Sequence, residues 1–184
     1  VMPLRADLWY ASAMAALQKP GWIGNREGEK DVFRRLEKAV AANPEDGFAW
    51  NRLGVVAMSV MNPPVNARGA FERAVALAPR HAPFWIDLGF ERLGDNDLPG
   101  ARAAFNEAGS LEPNAPIPKF SLALASARDG NAKQARTLVN EAVALQRAFG
   151  ERVTASGYSD YLFGLDEAAM RKRVEAVIER TKTD

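Results

Sequence analysis

Few residues in this chain could do chemistry, and their spacing argues against it. His81 is the only imidazole and sits between Pro79 and Pro83, in what reads as a solvated turn. No Ser or carboxylate near it falls at a spacing that would make a nucleophile–base pair. The chain has no cysteine, which excludes thiol catalysis, disulfides and Cys-ligated zinc and is compatible with cytoplasm and periplasm alike. A single histidine cannot build a His-rich metal site. The acidic groups Glu45-Asp46 and Asp95-Asp97 fall at turns and helix starts, where carboxylates cap free N–H groups. An EF-hand loop would need Gly and a terminal Glu at fixed offsets that are missing here. The glycines of segment 21–28 lack the Lys-Ser/Thr ending and the preceding strand of a phosphate loop. That segment reads as a long inter-helix loop whose Trp22 and Ile23 either pack back on the chain or meet a partner. Arg171-Lys172-Arg173 reads as the solvated face of a terminal helix. No catalytic residue, metal or cofactor is expected, and the chain is read as a non-enzyme.

The elements that hold these residues follow from composition. The chain has 184 residues, enough for one continuous core, and is 47% hydrophobic and 26% charged. Twenty-four Lys and Arg against 23 Asp and Glu leave a net charge of +1, which argues against nucleic acid or a polybasic membrane anchor as the partner. No apolar run approaches the roughly 18–20 residues of a membrane span, so direct membrane insertion is not expected. Alanine supplies 33 of the residues, which favours helices packed closely together.

A repeat is written in tryptophan and proline. Pro3, Pro44 and Pro79 are each followed six residues later by Trp9, Trp50 and Trp85. Four residues after each Trp stands a small residue: Ala13, Gly54 and Gly89. A second phrase, Ala67, Phe71, Ala74, Pro79, returns with the same gaps as Ala101, Phe105, Ala108, Pro113 and more weakly as Ala135, Val139, Ala142. An earlier copy runs Leu36, Ala39, Pro44. Units therefore begin near Ala6, Gly47, Ala82, Pro116 and Gly150. In the third, helices are expected over 82–93 and 98–111, with Gly94 to Asp97 breaking them and Pro113 ending the second. Gly89, Ala101 and Ala108 mark the close approach of the two helices, with Trp85 and Phe105 filling the space beside them. Each Trp is expected in the core rather than on a stacking surface. Such a pair cannot bury its apolar face alone, so units stack.

These phrases resemble the tetratricopeptide repeat family over nearly the whole chain. The match is densest in the unit starting at Ala82, where Trp85, Leu88, Gly89, Ala101, Phe105, Ala108 and Pro113 all stand at motif positions. Trp50, Leu53 and Gly54 carry the preceding unit, with one extra residue in its turn. Lys119 replaces the Trp in the fourth unit, and Val153 replaces it in the degenerate fifth. The resemblance implies an all-α, right-handed α-solenoid of about five helix-turn-helix repeats in a single domain, with units about 6–46, 47–81, 82–115, 116–149 and 150–184. The second helix of the last unit, 166–180, is expected to cap the array by stacking on 132–146, leaving Arg171, Lys172 and Glu179 outside.

In this family the first helix of each unit lines a concave face through motif positions 2, 5, 9 and 12. Carried onto this chain, those positions place Phe48, Asn51, Val55, Ile86, Phe90, Phe120, Leu124 and Tyr158 at a partner site, with Ile86, Phe90, Phe120 and Asn51 at its centre. The implied function is a protein–protein interaction scaffold that takes a peptide or amphipathic helix in an apolar groove. An alternative is an interaction or regulatory domain of a larger, envelope-associated enzyme or assembly factor. The chain starts at Val1, and Val1 to Trp9 reads like the junction from Ala78 to Trp85, so a further repeat is expected upstream. The carboxylate clamp of the chaperone-binding branch is not matched: Asn51 is present, but Val55, Asp87, Ile117 and Ser121 hold its other positions.

Overall fold

A computed structural model describes residues 3–19, 21–22, 24–60, 65–150, 162 and 164–183. They form nine α-helices and no strand among the described residues, in two compact units, Val1–Arg80 and His81–Asp184. The first unit holds α1 (Pro3–Leu17), α2 (Arg26–Ala42), α3 (Gly47–Ser59) and α4 (Ala67–Leu77). The second holds α5 (Ala82–Gly94), α6 (Leu98–Leu111), α7 (Pro116–Arg128), α8 (Ala132–Leu145) and α9 (Glu167–Arg180). A π-helical turn, Gln146–Gly150, prolongs α8.

Side chains set the helix starts. Asn25, Asp46, Asn66, Asp97, Asn131 and Asp166 each accept hydrogen bonds from backbone N–H groups in the first turn of α2, α3, α4, α6, α8 and α9. The helices α5 and α7 follow His81 and Ala115, which make no such cap; a proline in the first two positions starts them instead. The turns inside the pairs need a left-handed residue. Asn96, at φ 63°, supplies it after α5, and Gly130, at φ 74°, supplies it one 34-residue period later.

Pairs α1/α2, α3/α4, α5/α6 and α7/α8 are the main packing contacts, and α9 lies against both α7 and α8. Each pair meets at a matched large and small residue. A Cβ on Gly54 would lie 2.7 Å from Cε1 of Phe71, and one on Gly89 would overlap the ring of Phe105. Both rings are fully buried. Where the partner position shrinks to Val139, the small residue grows to Ala123.

The tryptophans pack against the cores of their units, as expected, but at the edge rather than in the interior. Trp9, Trp50 and Trp85 are all half-buried. The indole carries an N–H that needs a partner, which draws it to the rim of a helix pair. Nε1 of Trp50 donates to the Pro44 carbonyl at 3.0 Å, a direct physical reason for the six-residue Pro–Trp spacing in that unit. Lys38 Nζ sits 4.2 Å above the Trp9 ring. In the 21–28 loop, Trp22 packs back on the first unit's core, and Gly28 lets its backbone approach α2. Ile23 lies outside the described residues.

Candidate functional site

The second unit contains a cavity of about 640 Å³ between α5, α7 and α9. Phe90 and Leu93 from α5, Leu124 from α7 and Val177 from α9 make its apolar walls. Arg128 ends α7 at one side, and Arg173 and Arg180 stand on α9 at the other. No Asp or Glu is among the described lining residues.

Local structure explains each position. Phe90 meets Phe105 edge-on, with ring centroids 5.3 Å apart, which holds its ring at the cavity wall. Arg128 donates from Nη1 to the Leu93 carbonyl at 2.8 Å, anchoring it across the C-terminal end of α5. Arg173, Val177 and Arg180 are spaced by four and three, so they share one face of α9. Buried Met170, Val174 and Ile178 on the neighbouring face fasten that helix to the core. Thr181 closes its end, donating 2.9 Å to the Ile178 carbonyl and lying 3.3 Å from the Ala127 carbonyl of α7.

Charge pairing separates the cavity arginines from their neighbours. Arg102 pairs with Asp129 at 2.7 Å, Arg136 with Glu175 at 2.7 Å and Arg147 with Glu167 at 2.6 Å. These pairs hold the Glu167 and Glu175 carboxyls below their ordinary values, chiefly through the hydrogen bonds from the arginines. Arg171 bonds to Asn140. Among the described residues, neither Arg173 nor Arg180 has a carboxylate partner.

The expected groove stripe divides sharply. Phe48 stays 53% exposed and Val55 half-buried on α3, with Met58 48% exposed on the same helix. Phe90 and Leu124 line the cavity. Asn51 is buried and holds a partner of its own within the fold. Ile86 and Phe120, expected at the centre of a partner surface, are instead interior: Ile86 is 0% and Phe120 5% exposed. Both belong to the continuous core of the second unit, where α5, α7 and α9 pack, so they support the cavity from behind. Tyr158 lies outside the described residues. The arginines went unforeseen. Arg128 falls one position past the motif stripe, and Arg173 stands in a basic run whose spacing reads only as a solvated face.

His81 is not a freely solvated linker residue. It precedes α5, and its ring meets Phe84 edge-on at 4.3 Å. Burial lowers its pKa below 6.5, opposed by Asp87. Among the described residues no group of three His, Asp or Glu side chains could hold a metal ion, and no helix is long and apolar enough to cross a membrane.

No family model and no curated protein matches the sequence. Solved structures do match in fold. The chain is similar to the protein MamA, with 15% identity over 97% of this chain and 94% of that one, at a TM-score of 0.66. YrrB, described as a TPR protein with an unusual peptide-binding site, matches at 20% identity over 83% and 74%, with a TM-score of 0.64. Pseudomonas aeruginosa pilF matches at 20% identity over 97% and 77%, with a TM-score of 0.65. The fold is the all-helical repeat fold of tetratricopeptide-type proteins.

Proposed function

We propose that this chain is a tetratricopeptide-repeat protein that works as a non-enzymatic interaction scaffold and binds peptide segments on the faces of its first helices. The observation that carries this reading is the cavity between α5, α7 and α9. An open hollow of about 640 Å³, with apolar walls from Phe90, Leu93, Leu124 and Val177 and arginines around them, has the build of a binding site. Phe48 and Met58 are further exposed apolar side chains on a first helix, α3. YrrB, which shares the fold, is a peptide-binding protein by its own description, which supports the same role here.

A displayed random-peptide library selected against the intact chain tests the reading. The expected result is a convergent motif whose synthetic peptide protects amides of α3, α5 or α7 from hydrogen exchange. No convergence, or protection confined to α4, α6 and α8, overturns it.

A further inference from the structure

We infer that the α5/α7/α9 cavity takes an acidic peptide segment built around one bulky apolar side chain. This inference rests on the peptide-binding reading above and names the class of peptide. Arg173 and Arg180 flank Val177 on one face of α9, their backbone positions about 10 Å apart along the helix axis at 1.5 Å per residue. Arg128 faces the same space from the end of α7, held in place by the Leu93 carbonyl. Three cations around one hollow, with no carboxylate in its described lining, repel one another unless an anion is brought in. Elsewhere in this unit Arg102, Arg136 and Arg147 are matched to carboxylates, whereas the cavity gathers three arginines around one space.

The walls decide between anions. Leu93, Leu124 and Val177 are aliphatic, and Phe90 is the single aromatic ring among the described lining residues, so the hollow lacks the series of stacking faces that a run of bases uses. A large apolar side chain fits the hollow, and carboxylates on the flanking residues meet the guanidinium forks, which suit carboxylate geometry.

The test uses the intact chain and fluorescence anisotropy with an acetylated, amidated acidic heptapeptide: one central phenylalanine with glutamates on both sides. Control probes replace every glutamate by glutamine, or the phenylalanine by alanine. The glutamate–phenylalanine probe should bind about tenfold or more tightly than either control, and its affinity should fall as salt is raised. Arg173→Glu with Arg180→Glu should abolish that binding. These side chains are exposed, so the fold should survive, as checked by circular dichroism; Arg173→Gln with Arg180→Gln should reproduce the loss at reduced strength. Equal binding of the glutamine probe, or unchanged binding by the arginine variants, overturns the acidic assignment while peptides selected from the library still bind. Failure of all three probes also overturns it, and the library selection decides the broader reading separately. Displacement of the probe by oligothymidylate at equal affinity replaces the peptide with a nucleic acid and overturns the inference.

Discussion

Gly89 lies against the ring of Phe105 so closely that a methyl group there would overlap it. The same relationship joins Gly54 to Phe71 in the first unit. Because both rings are fully buried among tightly packed neighbours, the ring cannot swing away to make room. Gly89→Ala should therefore destabilise by about 1–3 kcal/mol, even though alanine is the better helix former. The chain already contains the compensated version, Ala123 with Val139. Phe105→Val added to Gly89→Ala should cost less than the sum of the two single changes in urea unfolding. Strict additivity would show that the two positions do not constrain each other.

The partly buried Trp85 reorders the expected energetics of the second unit. Phe105→Ala should cost about 3–5 kcal/mol, the usual loss for emptying a buried aromatic site, and Trp85→Ala clearly less. Ile86→Arg should be worse than Trp85→Ala, because it places an unpaired charge at a fully buried position. Denaturant midpoints of the three variants check the order. A folded, stable Ile86→Arg chain would mean that α5 presents this position to solvent.

His81 gives the chain a pH dependence with a definite sign. Burial lowers its folded pKa below 6.5, so between that folded value and 6.5 the unfolded chain holds the proton more tightly. The associated stability is fully present above about pH 6.5 and is lost as pH falls through 6.5 to the folded value. As the only imidazole, His81 has this window without competition from another histidine. Melting temperature should fall from pH 7.5 to pH 5.5 in the wild type. His81→Phe, which keeps a ring against Phe84, should flatten that slope.

The repeat was legible because its spacing has mechanical causes. Proline before a helix, a small residue opposite Phe71 or Phe105, and Asp46, Asp97 or Asp166 as a cap each act within one helix pair, so local sequence records them. The helix bounds of the third unit were readable for that reason. The cavity was not, because its walls belong to three helices and its charge to residues 45 to 52 positions apart in the chain. Only the packing of α9 onto α7 and α8 brings Arg173 and Arg180 opposite Arg128. The motif stripe likewise assigned Ile86 and Phe120 to a groove because it counts positions along one helix. It does not register that a neighbouring helix covers some of them.

The attachment of α9 sets up a contest between two kinds of contact. Its outer side carries the two-pronged Arg136–Glu175 and Arg147–Glu167 pairs and the Arg171–Asn140 bond, all on exposed side chains. Exposed ion pairs are screened by water and salt, and holding both side chains still costs entropy. The inner side buries Met170, Val174 and Ile178 completely against α7 and α8. Apolar burial should therefore hold the helix, with the ion pairs adding little. Ile178→Ala should cost about 2–5 kcal/mol in chemical unfolding. Arg136→Gln should leave the midpoint unchanged within error, at low salt as at high. A large, salt-sensitive loss in Arg136→Gln would reverse this order and make α9 an electrostatically held cap. Truncation after Gly150 exposes the apolar surface of α7 and α8 that α9 covers, so that fragment should melt lower or aggregate. A soluble truncate with the full melting temperature would show that the core of this unit is complete without α9.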